Sequence, residues 1–166
     1  MRQLVVAGKA LFMAACAIVI FGYLTRAVRP LDLFIPLTLP PWVPVAGLVL
    51  ILAGAILTFA CFGLFAASGS LEPGPTFPDP AVFVSRGPYR YVRNPMSKGG
   101  FNVLVGWGCY QRSPAIILFG ILMLGLMHLF VVYVEEPKLD RRFGQSYRDY
   151  RSRVDRWIPR VGSLTH

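Results

Sequence analysis

A chain of 166 residues that is 55% hydrophobic and only 15% charged has too little polar surface for a water-soluble core, so lipid is read as its solvent. The net charge of +9 would point a soluble protein toward nucleic acid; here the basic residues punctuate long apolar runs, and anionic phospholipid headgroups fit better than nucleic acid. Cys16, Cys61 and Cys109 each lie in an apolar segment with no CxxC spacing and no neighbouring histidine, so neither a metal site nor a disulfide framework is indicated.

A helix needs ~20 apolar residues to cross the hydrocarbon core. Residues 4–24 meet this if Lys9 snorkels toward the nearer surface. The apolar part of this run, residues 10–24 after Arg2 and Lys9, resembles a signal peptide, but no small-x-small cleavage site follows it, and a retained span is expected. Residues 42–67 contain no charge at all, and Pro40, Pro41 and Trp42 give that span an interfacial start. A polar loop dense in Pro and Gly covers residues 68–94. A short third span, 95–110, and a fourth, 114–134, are separated only by Gln111, Arg112 and Ser113, which requires a tight antiparallel hairpin. The expected fold is an all-α polytopic membrane helix bundle of about four transmembrane helices, one membrane domain over residues 1–166.

Four spans place the N-terminus, the 68–94 loop and the tail on one side. That side holds fourteen basic residues, against Arg26, Arg29 and Arg112 on the other, so both termini are expected to be cytoplasmic. In the tail, 135–166, Leu139, Phe143, Tyr147, Tyr150, Val154 and Trp157 recur at steps of three and four, with arginines between them. This is the pattern of an amphipathic helix lying in the interface, weakened at Gly144. A tail that covers the cytoplasmic end of the bundle fits the same pattern.

Two places could carry chemistry. Asn94 and Pro95 read as N-cap and first residue of the third span, so unpaired N–H groups would face the cytoplasm beside Arg90 and Arg93 and suit a carboxylate or phosphate. Gly99 and Gly100, one turn further, would let a ligand or a neighbouring helix approach closely. An ordinary capped helix with interfacial arginines explains the same residues. The second place is Glu135-Glu136-Pro137, two acids at the C-terminal end of a long apolar helix, where the helix dipole disfavours them. They could accept hydrogen bonds from amine or hydroxyl groups of a ligand, or form a salt bridge with Arg90, Arg93 or Lys138. His128 is a weak catalytic candidate, since a lone mid-helix histidine is more often a packing or hydrogen-bonding residue. Together the two places fit a ligand with a carboxylate and cationic or hydroxyl-bearing parts, of which S-adenosylmethionine is one; periodicity and charge do not name it.

The stretch Val84-Ser85-Arg86-Gly87-Pro88-Tyr89-Arg90-Tyr91-Val92-Arg93-Asn94-Pro95-Met96, with the later run Glu135-Glu136-Pro137-Lys138-Leu139 and Phe143-Gly144, Tyr147 and Tyr150, resembles the isoprenylcysteine carboxyl methyltransferases and phospholipid N-methyltransferases. The resemblance covers residues 81–160. It implies a helical membrane bundle that binds S-adenosylmethionine at its cytoplasmic face and methylates a lipophilic small molecule or lipid dissolved in the membrane. By position it assigns cofactor contacts to Tyr89, to Asn94, Pro95, Met96 and Ser97, to Glu135 with Glu136 beside it, and to Ala81, Val82, Phe83 and Val84; Arg93 joins them from its place beside the helix start. Asn94 replaces a commoner His, and Ser97 and Lys98 stand where Tyr and a small apolar residue are usual, which removes an aromatic wall. Val131 stands where the prenylcysteine enzymes carry an arginine for the substrate carboxylate, and this argues against that substrate. Competing readings are a non-enzymatic membrane protein (a transporter subunit or scaffold) and an NADPH-dependent membrane reductase of related architecture. A transporter would call for an ionisable residue deep in a span, and only His128 qualifies.

Overall fold

The computed structural model describes residues 19, 21–67 and 85–159. Every regular element among the described residues is helical. Residues 21–28 are helical and run into a 3-10 turn, Arg29–Phe34. Three longer helices follow: α1 (Val43–Ala67), α2 (Pro95–Tyr110) and α3 (Pro114–Phe130). A π-helical turn, Val131–Glu135, carries α3 directly into α4 (Glu136–Phe143), and α5 (Gln145–Arg153) comes after Gly144.

Two helical rods are long and apolar enough to cross a membrane, Val43–Leu64 with 22 residues and Pro114–Phe143 with 30. Their outer faces carry exposed apolar side chains: Val45, Val49, Leu52, Ile56 and Phe59 on the first, Leu118, Leu122 and Leu126 on the second. In water that surface would be costly; in hydrocarbon it is the required one. The expected 95–110 segment falls on α2 with both boundaries matched. The span expected to stop at 134 instead continues as helix to Phe143. Most of the first expected span, residues 4–18 and 20, lies outside the described residues, as do loop residues 68–84 and tail residues 160–166.

α1 and α2 pack backbone to backbone along a seam of glycines. A Cβ added at Gly47 would stand 2.6 Å from the Gly106 carbonyl oxygen, and one at Gly54 would stand 2.5 Å from that of Gly99. Each pair is read the same way from the other side: a Cβ at Gly106 meets the Gly47 oxygen at 2.7 Å, and one at Gly99 meets the Gly54 oxygen at 2.8 Å and also Thr58 Oγ1. The seven-residue step within each helix keeps both glycines on the contact line of an antiparallel pair. With no hydrophobic driving force between helices in lipid, such close van der Waals contact is a main source of association.

The α2–α3 hairpin closes through Arg112, whose φ of 52° places it in the left-handed region. Ser113 Oγ then accepts from the Ile116 N–H at 3.2 Å, capping α3. Asp32, from the distant 3-10 turn, accepts from the Ala115 N–H at 2.8 Å, so a carboxylate oxygen joins the Ser113 hydroxyl in serving the orphan donors of α3.

The π turn has a physical cause. Pro137 lacks an N–H and its ring would clash with the carbonyl one turn back, and widening the preceding turn relieves that conflict. The consequence is a change of register. The buried positions on either side of the π turn, Val131 at 0% exposure and Glu136 at 6%, lie five residues apart, so Glu136 is turned further into the protein than Glu135.

The tail differs from the expected interfacial helix. Gly144, with φ 54°, breaks it into α4 and α5. The apolar face is turned inward: Tyr147, Tyr150 and Val154 form a buried cluster with Leu139 and Phe143 against it. Both phenols find a polar partner in the protein: Tyr147 is hydrogen-bonded with Arg93, and Tyr150 bonds to the Tyr89 carbonyl oxygen.

Candidate functional site

The site gathers at the start of α2. The 3-10 turn Gly87–Arg90 packs on the end of α1, where Gly87, with φ 57°, leaves room for Leu64: a Cβ there would stand 2.5 Å from Leu64 Cδ1. Tyr89 is thereby laid against α1, its hydroxyl hydrogen-bonded with the Cys61 thiol. Its carbonyl oxygen accepts from the Tyr150 hydroxyl at 2.6 Å. Burial pushes both phenols well above their ordinary pKa, so each stays a neutral donor.

Beyond α5 the chain is extended and returns along the residues that precede α2. The Arg93 N–H donates to the Asp155 carbonyl oxygen at 2.9 Å, and the Asn94 N–H donates to that of Arg156 at 3.3 Å. Lys98 Nζ donates to the Trp157 carbonyl oxygen at 3.1 Å. Trp157 Nε1–H in turn donates to His128 Nδ1 at 3.0 Å, which ties the strap to α3. This bond fixes His128 as the tautomer with its proton on Nε2.

Underneath the strap sits a buried ionic triad. Glu136 Oε1 lies 2.9 Å from Arg93 Nη1 and accepts from Arg156 Nε at 2.7 Å, while Oε2 accepts from Arg156 Nη2 at 3.0 Å. Hydrogen bonding to Glu136 pushes the Arg156 pKa up, so that guanidinium is charged at every relevant pH. One carboxylate thus joins three segments far apart in sequence.

Each site residue expected from the sequence now has a place. Asn94 stands at the N-cap position of α2, but its side chain makes no capping bond. Pro95 is fully buried, and Met96 and Ser97 are half-buried on the first turn. Among the described residues, the N–H groups of Met96 and Ser97 meet no acceptor, whereas those of Arg93 and Asn94 are taken by the strap. Glu135 is half-buried near Tyr89, Glu136 and Lys138. Tyr89, Arg93 and the acidic pair are therefore brought together around the α2 start; Glu136 is engaged there by arginines. His128 sits apart, on α3, holding Trp157. Ala81, Val82, Phe83 and Val84 lie outside the described residues. Among the described residues no cluster of three or more His, Cys, Asp or Glu could hold a metal ion.

Ser97 also faces the other way. With Gly100, Phe101 and Leu104 on α2 and Met123, Leu124 and Met127 on α3, it lines an apolar groove of about 200 Å³. The groove exists because Gly100 adds nothing to it: a Cβ there would meet no atom within 4 Å. Sequence reasoning identified Ser97 as a missing aromatic wall and did not identify the groove. It also missed Asp32, Arg156 and Trp157, whose partners are 83, 20 and 29 residues away respectively.

A model of the phospholipid methyltransferase family matches residues 42–146 of the chain. No curated protein matches it. Among solved structures it is similar to the eukaryotic intramembrane Ras methyltransferase, isoprenylcysteine carboxyl methyltransferase, in its structure without a monobody. The sequences are 24% identical, the TM-score is 0.58, and the alignment covers 92% of this chain and 52% of that one. The chain thus spans about half the length of that protein, and the likeness establishes a shared membrane fold.

Proposed function

This chain belongs to the phospholipid methyltransferase family, and from that premise we propose that it transfers the methyl group of S-adenosylmethionine to a lipophilic acceptor dissolved in the membrane. The reading takes the bundle as four spans with both termini cytoplasmic, so the α2 start opens on the cytoplasmic face. The observation that carries it is a juxtaposition. Two open N–H groups, of Met96 and Ser97, lie on the first turn of α2, where Ser97 also lines the apolar groove, and the half-buried Glu135 faces Tyr89 just before that turn.

Bound S-adenosylmethionine supplies an electrophilic methyl group on a sulfonium. The chain's part is to hold, align and dry the reactants. The Met96 and Ser97 N–H groups, at the positive end of the α2 dipole, hold the carboxylate. Glu135 accepts from the ammonium or the ribose hydroxyls, and Tyr89 packs beside it. Arg93 and Glu136 position the helix start, since their charges already satisfy each other and Arg156. The strap, pinned by His128, covers the site from water. The acceptor lies in the groove between α2 and α3 and presents its nucleophile past Ser97, where the absent aromatic ring leaves passage. Val131 is fully buried and apolar, which supports an acceptor other than a prenylcysteine carboxylate.

The test is calorimetric titration of the purified chain with S-adenosylmethionine and, separately, with NADPH, repeated on Glu135→Ala. Saturable binding of S-adenosylmethionine is expected, weakened about tenfold or more in the variant by loss of a charge-assisted hydrogen bond. Binding of NADPH alone would favour the reductase reading, and a folded protein that binds neither overturns the proposal.

A further inference from the structure

The end of the bundle away from the α2 start carries an apolar surface that methyl transfer does not use. Residues 33–42, between Asp32 and α1, contain no charge. Leu33 is 88% exposed, Phe34 80% and Trp42 64%, and Leu31 and Leu37 stand out beside them. Asp32 itself is turned away from this surface onto the Ala115 N–H at 2.8 Å. A connection that ran through water would expose polar side chains here instead.

The depth of the surface is fixed at both ends. Asp32 ties its start to Ala115, three residues past Arg112 in the α2–α3 turn. At its other end, a Cβ on Gly47 would stand 2.6 Å from the Tyr110 nitrogen, so Gly47 is level with the last residue of α2. Trp42 precedes Gly47 by five residues, ~7.5 Å at ~1.5 Å per residue, which brings it to the level of the turn. That turn carries Gln111 and the exposed Arg112, and so marks the headgroup layer. The Trp42 carbonyl oxygen accepts from the Val45 and Ala46 N–H groups, so Trp42 opens the helical turn of α1. Trp42, Val45 and Val49, all exposed, then follow at steps of three and four, and the surface continues into the lipid-facing side of α1.

The backbone suits that depth and no deeper one. Residues 35–40 form no regular element, which excludes them from the hydrocarbon core when they face lipid. At the headgroup boundary the demand is small. Pro36, Pro40 and Pro41 have no N–H, and those of Ile35 and Leu37 donate to the Asp32 and Ile35 carbonyl oxygens at 3.2 and 2.7 Å. Continuity with the lipid-facing side of α1, at the level of the polar turn, selects lipid over a second protein as the occupant.

We propose that residues 31–42 are an interfacial anchor, in which Leu33, Phe34, Leu37 and Trp42 insert ~5–10 Å into the headgroup–acyl boundary of the leaflet at the α2–α3 turn. The anchor sets the depth of α1 and, through Asp32 and Ala115, that of the hairpin. It lies at the opposite end of α2 from the candidate site and is independent of the methyl-transfer reading.

Nitroxide labels on Phe34→Cys and Leu37→Cys test it, with the full chain carrying Cys16→Ser/Cys61→Ser/Cys109→Ser in phosphatidylcholine nanodiscs. Labels on Leu52→Cys, exposed on the lipid-facing side of α1, and on Arg151→Cys, exposed on α5, bracket the range from hydrocarbon to water. The ratio of collisions with dissolved oxygen to collisions with a water-soluble nickel chelate is expected to be at least about threefold higher at both anchor labels than at Arg151→Cys, and lower than at Leu52→Cys. A ratio equal to that at Arg151→Cys overturns the anchor. Dipolar broadening between copies at these positions would assign the surface to a dimer and overturns it too. Hydroxyl-radical footprinting of the wild type needs no substitution. On exposure within the protein alone, Trp42 would oxidise faster than Tyr91, which is 40% exposed. In nanodiscs it is expected to oxidise about fivefold more slowly than Tyr91, and equal or faster oxidation overturns the proposal.

Discussion

α2 is gripped in two places by different physics. Along its length, Gly99 and Gly106 press against Gly54 and Gly47 of α1, backbone on backbone, with no charge involved. At its start, Arg93 is held by the Glu136 carboxylate of α4, and Arg93 and Asn94 by backbone hydrogen bonds to a strap that arrives from the far end of the chain. The first grip sets where the helix lies in the bundle; the second sets what its N-terminus presents. The difference shows that a helix can be placed by close backbone packing, while what its end presents needs directional bonds. Gly99 and Gly100 repeat the contrast at the scale of one residue, one closing on Thr58 and the other leaving a groove open.

The sharpest way to break this division is Glu136→Ala. It leaves the Arg93 and Arg156 guanidinium groups unpaired beneath the strap and should cost about 3–5 kcal/mol, measured by unfolding in detergent. A loss below about 1 kcal/mol, the size typical of an exposed pair, would show that the triad does not organise this end. Gly99→Ala should cost about 1–3 kcal/mol because its Cβ meets Thr58 Oγ1 and backbone, and salt should not change that cost. Gly100→Leu should leave stability within about 0.5 kcal/mol yet slow methylation of a lipid acceptor about tenfold by filling the groove. S-adenosylmethionine affinity, read by calorimetry, should not move in that variant. Tyr150→Phe removes the bond to the Tyr89 carbonyl and should cost about 1 kcal/mol. It also bears on pH. Since burial raises the folded-state pKa of Tyr150, its neutral phenol favours the fold below pH ~10, and that contribution is lost as pH rises past that value toward the folded pKa. The variant should therefore lose stability less steeply than wild type under alkaline denaturation.

Much of the membrane-depth structure was legible in the sequence, because lipid leaves few options. An uncharged run must be a helix, and a three-residue polar break between two apolar runs must be a hairpin; 95–110 and 114 onward fell where the pattern put them. The glycine seam was half legible. Gly99 was marked as a place of close approach, but its partner Gly54 lies in an apolar run whose composition does not say which face meets a neighbour. At the start of α2, local pattern picked out residues that the structure brings near one another, but not their arrangement. Asn94 reads as a capping side chain, yet it makes no capping bond and its own N–H is taken by the backbone of Arg156. The acidic pair reads as equivalent until the π turn before Pro137 rotates Glu136 inward, and Pro137 was the signal available for that. The amphipathic tail pattern was correct in period but ambiguous in partner, since a protein surface and a membrane surface demand the same apolar stripe.

The strap also imposes an order on biosynthesis. Lys98 is emitted from the ribosome 59 residues before Trp157, the residue whose carbonyl it binds. The α2–α3 hairpin can insert and pack its glycine seam while the tail is still being made, but the start of α2 stays unfinished until Arg156 emerges to meet Glu136. Until then the nascent chain is a placed helix without a working end. Any truncation before residue 156 should freeze it there, inserted in the bilayer yet unable to assemble the site.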